Sequence, residues 1–193
     1  MDKYVRVLSV CAFALLTGCA RDKPRQEDIV NLYKSYDLEA LTVRIPSAWK
    51  SLDFAAQGLS SANKDKKYFF LNTHSKDTVL RETIVIEIAQ RKGAPSLSNV
   101  EKTVLAGIAE GQDQIRVVSS QNTVIRGNEL KIIEVVCRNK EYNISLVEIF
   151  AFYKKDKQLA SLLWTGLSHP GSINKKNKEL FMQVVNSVEW KKP

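Results

Sequence analysis

Apolar side chains recur along this chain at two spacings, and the change from one to the other marks out the elements. Leu41-Thr42-Val43-Arg44-Ile45 alternates apolar and polar positions as a half-buried strand does, and Pro46 ends it. Tyr68 to Leu71 and Thr83 to Ala89 read as further strands. In the second, Ile84, Ile86 and Ile88 share one face and Thr83, Val85 and Glu87 the other. Between them and the first strand, Gly58 to Lys67 is rich in Ser, Asn and Lys, follows neither period and reads as a loop. Ser98 predicts the N-cap of a helix carrying Val100, Val104, Leu105 and Ile108, with Glu101 placed to close a capping box and Gly111 to stop it. Ile115 to Ser119 and Thr123 to Arg126 read as extended, and Gly127-Asn128 as a tight turn. Three strands follow, Leu130 to Cys137, Tyr142 to Tyr153 and Leu159 to Thr165. Their hairpin-length connections make them antiparallel neighbours. After the turn-like His169-Pro170-Gly171-Ser172, a last helix from about Asn174 to Val188 carries Leu180, Phe181, Val184, Val185 and Val188 as its stripe, and Trp190 closes the domain.

Neither helix can bury its stripe except against the strands, so the fold class is α+β, an antiparallel sheet with helices packed on it. The order of certain motifs resembles a known fold. An opening strand ending in Pro46-Ser47-Ala48-Trp49, a mid-chain helix, a glycine turn into a meander of long strands and a last helix ending Val185-Asn186-Ser187-Val188-Glu189-Trp190 resemble the PsbP-like α/β/α sandwich. The resemblance covers Leu41 to Trp190 and places a single domain over residues 38–193. That superfamily takes in the extrinsic photosystem II protein, a small Ran-binding nuclear import factor and many bacterial envelope lipoproteins. Its members with assigned roles act as adaptors and assembly factors, which implies binding through a sheet face or through the loops around Trp49, His74 and His169.

The N-terminus carries a different signal. Lys3 and Arg6 precede an apolar run from Val7 to Leu16, well short of the ~20 residues that span a bilayer. Leu16-Thr17-Gly18-Cys19 then resembles the bacterial lipobox. The resemblance implies a signal peptide over residues 1–18 and a mature chain beginning at Cys19, which carries a diacylglyceryl thioether and an N-acyl chain such as palmitate. Two or three chains, at ~0.8 kcal/mol per buried methylene, hold a protein on a bilayer lastingly. Ala20, where inner-membrane retention uses aspartate, implies the outer membrane in a Gram-negative cell, with the domain facing the periplasm. Residues 19–37 read as a tether. Ile29, Leu32, Tyr33 and Tyr36 recur at helical spacing, which leaves a short helix or a disordered leash open.

Composition narrows the chemistry. A net charge of +8 on 193 residues suits anionic surroundings. Lysines cluster at several expected turns, among them Lys154, Lys155 and Lys157. Nucleic acid does not fit an exported lipoprotein, and no nucleic-acid-binding motif occurs. Cys11 leaves with the signal and Cys19 is lipidated, so Cys137 stands alone in an apolar strand as a buried thiol. Only two histidines occur, and no HExxH or paired-cysteine spacing, so neither a metal nor a cofactor is expected. No Gly-x-Ser-x-Gly elbow supports a hydrolase. Glu87, Glu134 and Glu148 each interrupt an apolar run. Two of them facing one another across adjacent strands would permit acid/base work; otherwise each marks the solvent side of the sheet or meets a lysine. The expected function is a membrane-anchored, non-enzymatic adaptor that binds an envelope protein or anionic polymer. The alternatives are an immunity-type lipoprotein against a periplasmic toxin, or a small hydrolase or ligand carrier with a pocket between sheet and helices.

Overall fold

The computed structural model describes residues 33–52, 66–74, 80–90, 96–168 and 175–192. Cys19, His169 and the expected signal peptide and tether up to residue 32 lie outside the described residues. The described elements run β1 (Tyr33–Leu38), β2 (Leu41–Pro46), β3 (Trp49–Leu52), β4 (Lys66–Asn72), β5 (Thr83–Gln90), α1 (Val100–Gly111), β6 (Gln112–Ile125), β7 (Asn128–Asn139), β8 (Ile144–Lys155), β9 (Gln158–Leu167), α2 (Lys175–Asn186) and β10 (Glu189–Trp190). They form a seven-stranded sheet in the order β3-β4-β5-β9-β8-β7-β6 and a three-stranded sheet in the order β1-β2-β10. Every pairing is antiparallel. The α+β sandwich expected from the sequence is the fold observed.

The large sheet is covered on both faces, so its central strands bury alternate side chains in two separate cores. On one face Ile84, Ile86, Leu130, Ile132, Ile149 and Trp164 pack against Leu41, Val43 and Ile45 of the small sheet and Phe181, Val184 and Val185 of α2. On the other, Val85, Ile133, Val135, Phe150 and Leu163 pack against Val104 and Ile108 of α1. This is why β8 reads as a nearly unbroken apolar run: no face of it meets water. Trp164 stacks on Phe181 at 6.5 Å, and the Tyr153 hydroxyl donates to the Val185 carbonyl, fastening the middle and the C-terminal end of α2 to the sheet.

Four expectations change on contact with the structure. Tyr33 to Leu38 is a strand, not tether or helix, and pairs with β2 from Tyr33↔Pro46 to Leu38↔Leu41. The tight Glu39-Ala40 turn makes that hairpin, and Tyr36 meets Phe70 edge-on at 4.8 Å, so tertiary pairing overrides the helical spacing of the tyrosines. Trp49 to Leu52, read as following the first strand, is itself β3. The N-cap of α1 is Asn99 rather than Ser98 and makes no side-chain cap bond. Glu101 reaches sideways instead, accepting from the Ser120 hydroxyl and pairing with Lys131 at 3.2 Å. Finally, the two extended pieces after α1 form one strand, β6, bent by register shifts between Asp113 and Arg116 and between Val117 and Ser119. The Arg126-Gly127 turn at its end has φ of 52° and 77°, the two-residue geometry that matches strand twist.

Candidate functional site

Alternation along the strands decides where the three intra-strand carboxylates point. Glu134 lies on the α2 face of the sheet, in the cross-strand row Glu134↔Ile149↔Trp164. Glu148 lies on the α1 face between Val135 and Thr165, and Glu87 on that same face opposite Ser161. No two of them face each other across adjacent strands. All three are buried, because the sheet has no solvent side over its central strands. Each is met by its own partner. Lys67 Nζ is 3.3 Å from Glu87, Lys178 Nζ is 2.5 Å from Glu134, and Gln112 Nε2 donates to Glu148 at 3.0 Å. The lysine alternative therefore describes Glu87 and Glu134, while Glu148 is held by a neutral amide.

Glu148 is the most perturbed group of the three. Burial disfavours its charge and pushes its carboxyl up to about 7, against the opposing pull of the Gln112 amide. Gln112, the C-cap of α1, also accepts from the Cys137 thiol, so one side chain bridges a carboxyl and a thiol in the core. Burial, and then the charge of Glu148, push that thiol far above its ordinary value. Such a cysteine is a poor nucleophile, since the thiolate is the reactive form. The Thr165 hydroxyl, directly across from Glu148, has no hydrogen-bond partner among the described residues.

The surface residues singled out from the sequence fall at two opposite ends of the sheet. Trp49 opens β3 opposite Asn72, but its side chain is 3% exposed in the core, where it supports the sheet and offers no contact surface. His74 is exposed just past β4, its backbone N–H donating to Asn72 Oδ1 at 3.0 Å. Lys154, Lys155 and Lys157 lie on the β8–β9 hairpin, a strand's length away, roughly 35 Å at 3.3 Å per residue. There Lys154 pairs loosely with Glu129 at 3.8 Å, Lys155 Nζ donates to the Lys191 carbonyl at 3.0 Å, and Lys157 is exposed. The same end carries the exposed pairs Lys66 with Glu39, Arg126 with Glu189, and Lys191 with Asp37. Pairs of this kind contribute little and exchange partners readily, so this end can present cations to an incoming anion.

A second polar cluster, unmarked by any sequence pattern, lies beside α2. Glu82, buried just before β5, accepts from Asn72 at 2.8 Å and from Asn177 of α2. Beside it the Trp164 ring lies so near Gly166 that a Cβ there would sit 2.9 Å from Cζ2. No periodicity marks Glu82 or Gln112, because both lie at element boundaries where a polar residue is unremarkable. Among the described residues no group of three or more His, Cys, Asp or Glu is placed to hold a metal ion, and no helix is long and apolar enough to cross a membrane.

No protein-family model matches the chain, and no curated protein matches it in sequence. Solved structures do match it in fold. The cyanobacterial PsbP protein (CyanoP) of Synechocystis superposes with a TM-score of 0.60 at 13% identity, covering 88% of this chain and 98% of that one. The Ran-binding protein Mog1p of Saccharomyces cerevisiae gives 0.58 at 12%, covering 82% and 95%. A Pseudomonas aeruginosa protein of unknown function gives 0.54 at 11%, covering 83% and 98%. The domain thus has the Mog1/PsbP fold.

Proposed function

We infer that this chain is an envelope lipoprotein, held on a membrane by acylated Cys19, whose Mog1/PsbP-fold domain binds a protein or an anionic envelope component and catalyses no reaction. One observation carries the reading. The three carboxylates that could have formed a catalytic pair are held on two faces of the sheet and are already bonded. What remains for contact is the outer surface, and its most distinctive part is the basic hairpin end at Lys154, Lys155 and Lys157. A fold shared over nearly the whole length of a protein named for binding Ran supports a binding role as a class. The lipobox-like Leu16-Thr17-Gly18-Cys19 supports the tether, and with Ala20 supports an outer-membrane position in a Gram-negative cell.

The test is recovery of partners from envelope extract by the wild type and by the Lys154→Glu/Lys155→Glu/Lys157→Glu variant, alongside sedimentation with vesicles rich in phosphatidylglycerol. Loss of a discrete protein, or of vesicle binding, in the variant supports the reading. Equal recovery in both arms shows the hairpin to be a solvated turn.

A further inference from the structure

Among the described residues the outer edge of the large sheet is long and unpaired. Among the described residues β6 pairs only with β7, so the opposite rim of its fourteen residues offers unpaired backbone N–H and C=O groups. Edge strands are ordinarily guarded by shortness, charge, proline or bulges. The other edge of this sheet, β3, is four residues long and carries Lys50. The first half of β6 is guarded as well, by Asp113, Arg116, the register shift between them and the positive φ of Gln114. The second half is not. From Val117 to Ile125 there is no charged residue and no proline, in a chain where 26% of residues are charged, and no register shift follows Ser119. Three of the four large apolar side chains exposed among the described residues lie here: Val117, Val118 and Val124, the last 65% exposed.

We propose that the Ser119–Thr123 stretch of β6 pairs antiparallel with the same stretch of a second copy of this chain, joining two large sheets across a twofold axis at Gln121. About that axis Ser119 lies opposite Thr123 of the other copy and Ser120 opposite Asn122. Val118 and Val124 then cap both ends of the contact. The sequence suits this occupant in particular. Two chains of charge +8 repel each other over most of their surfaces, and from Val117 to Ile125, between Arg116 and Arg126, this rim is an edge at which neither brings a charge. Pairing also covers the exposed valines by symmetry, as a closed twofold interface requires. The Ser120 hydroxyl, bonded to Glu101, and the Ser119 hydroxyl, 3.4 Å from Glu134, fix the strand from its faces and leave its rim available.

Oxidative cross-linking of the full chain in its envelope tests this. Gln121→Cys is expected to give a reducible homodimer, Lys50→Cys on the far edge none, and Val124→Lys added to Gln121→Cys is expected to lower the dimer at least tenfold. Sedimentation of the detergent-extracted native chain is expected to show a concentration-dependent dimer weakened by Val124→Lys. A chain that sediments as a monomer at every concentration overturns the proposal. So does equal cross-linking from Lys50→Cys, indifference to Val124→Lys, or a Gln121→Cys cross-link to a different protein in place of the homodimer.

Discussion

Gln112 and Glu148 meet at 3.0 Å in the core under α1, a neutral amide donating to a carboxyl that water does not reach. Because the folded carboxyl keeps its proton up to about 7 and the unfolded one releases it near 4.5, the native state binds more protons between those values. Stability from this group is therefore full below about pH 4.5 and is lost as pH rises toward 7, about 3 kcal/mol in all. The titratable group that shares Gln112 with it, Cys137, stays protonated throughout. Glu148→Gln keeps an acceptor for Gln112 and removes the titration. Relative to wild type it should gain about 3 kcal/mol between pH 4.5 and the range above 7, read by urea denaturation as the difference between the two proteins. A difference that does not change with pH contradicts the assignment.

Lys178 crosses from α2 to Glu134, which is buried and whose other oxygen has no partner among the described residues. Removing the cation strands the carboxylate. Lys178→Met should cost about 2 kcal/mol, less than a fully buried pair because the lysine side chain is 36% exposed. Adding Glu134→Leu should recover most of that loss. Denaturant midpoints of the two variants check it, and a double variant no more stable than the single one would count against it.

Two glycines should fail for different reasons. Gly166→Ala drives a methyl to 2.9 Å from the buried Trp164 ring and should cost about 1–3 kcal/mol, with a change in tryptophan fluorescence. Gly127→Ala meets nothing within 4 Å among the described residues but must adopt φ of 77°, which costs about 1 kcal/mol and leaves the fluorescence unchanged.

Much of this fold was legible because its long strands obey simple alternation and its hairpins are short. β5, β7, β8, β9 and the stripe of α2 can be read from side-chain spacing alone. What could not be read depends on partners distant in sequence. Tyr33 and Tyr36 keep helical spacing yet form a strand, because β2 supplies the pairing edge. Ser98 is a good cap residue, but Glu101, its expected capping-box partner, is drawn to Ser120 and Lys131. For the candidate site, the sequence marked Glu87, Glu134 and Glu148 as anomalous but could not assign their faces relative to one another. That follows only from the register of β5, β7, β8 and β9. Trp49 was equally ambiguous, since a tryptophan after a strand-ending proline serves a core or a surface equally well.

Cys137 should be inert while the domain is folded. Its thiol is buried, and burial together with Glu148 holds it protonated. Iodoacetamide at neutral pH should leave it unmodified in the native protein and alkylate it in guanidinium, read by intact mass. Rapid native labelling would show the strand to open locally.

The tether at Cys19 is the premise on which the functional account rests, and labelling with a clickable palmitate analogue tests it directly. In cells producing the full chain, the wild type should take up the label and fractionate with membranes. Cys19→Ser should take up none and leave the membrane fraction. A wild type that remains unlabelled and membrane-free, or a Cys19→Ser variant labelled as strongly as the wild type, would contradict the account.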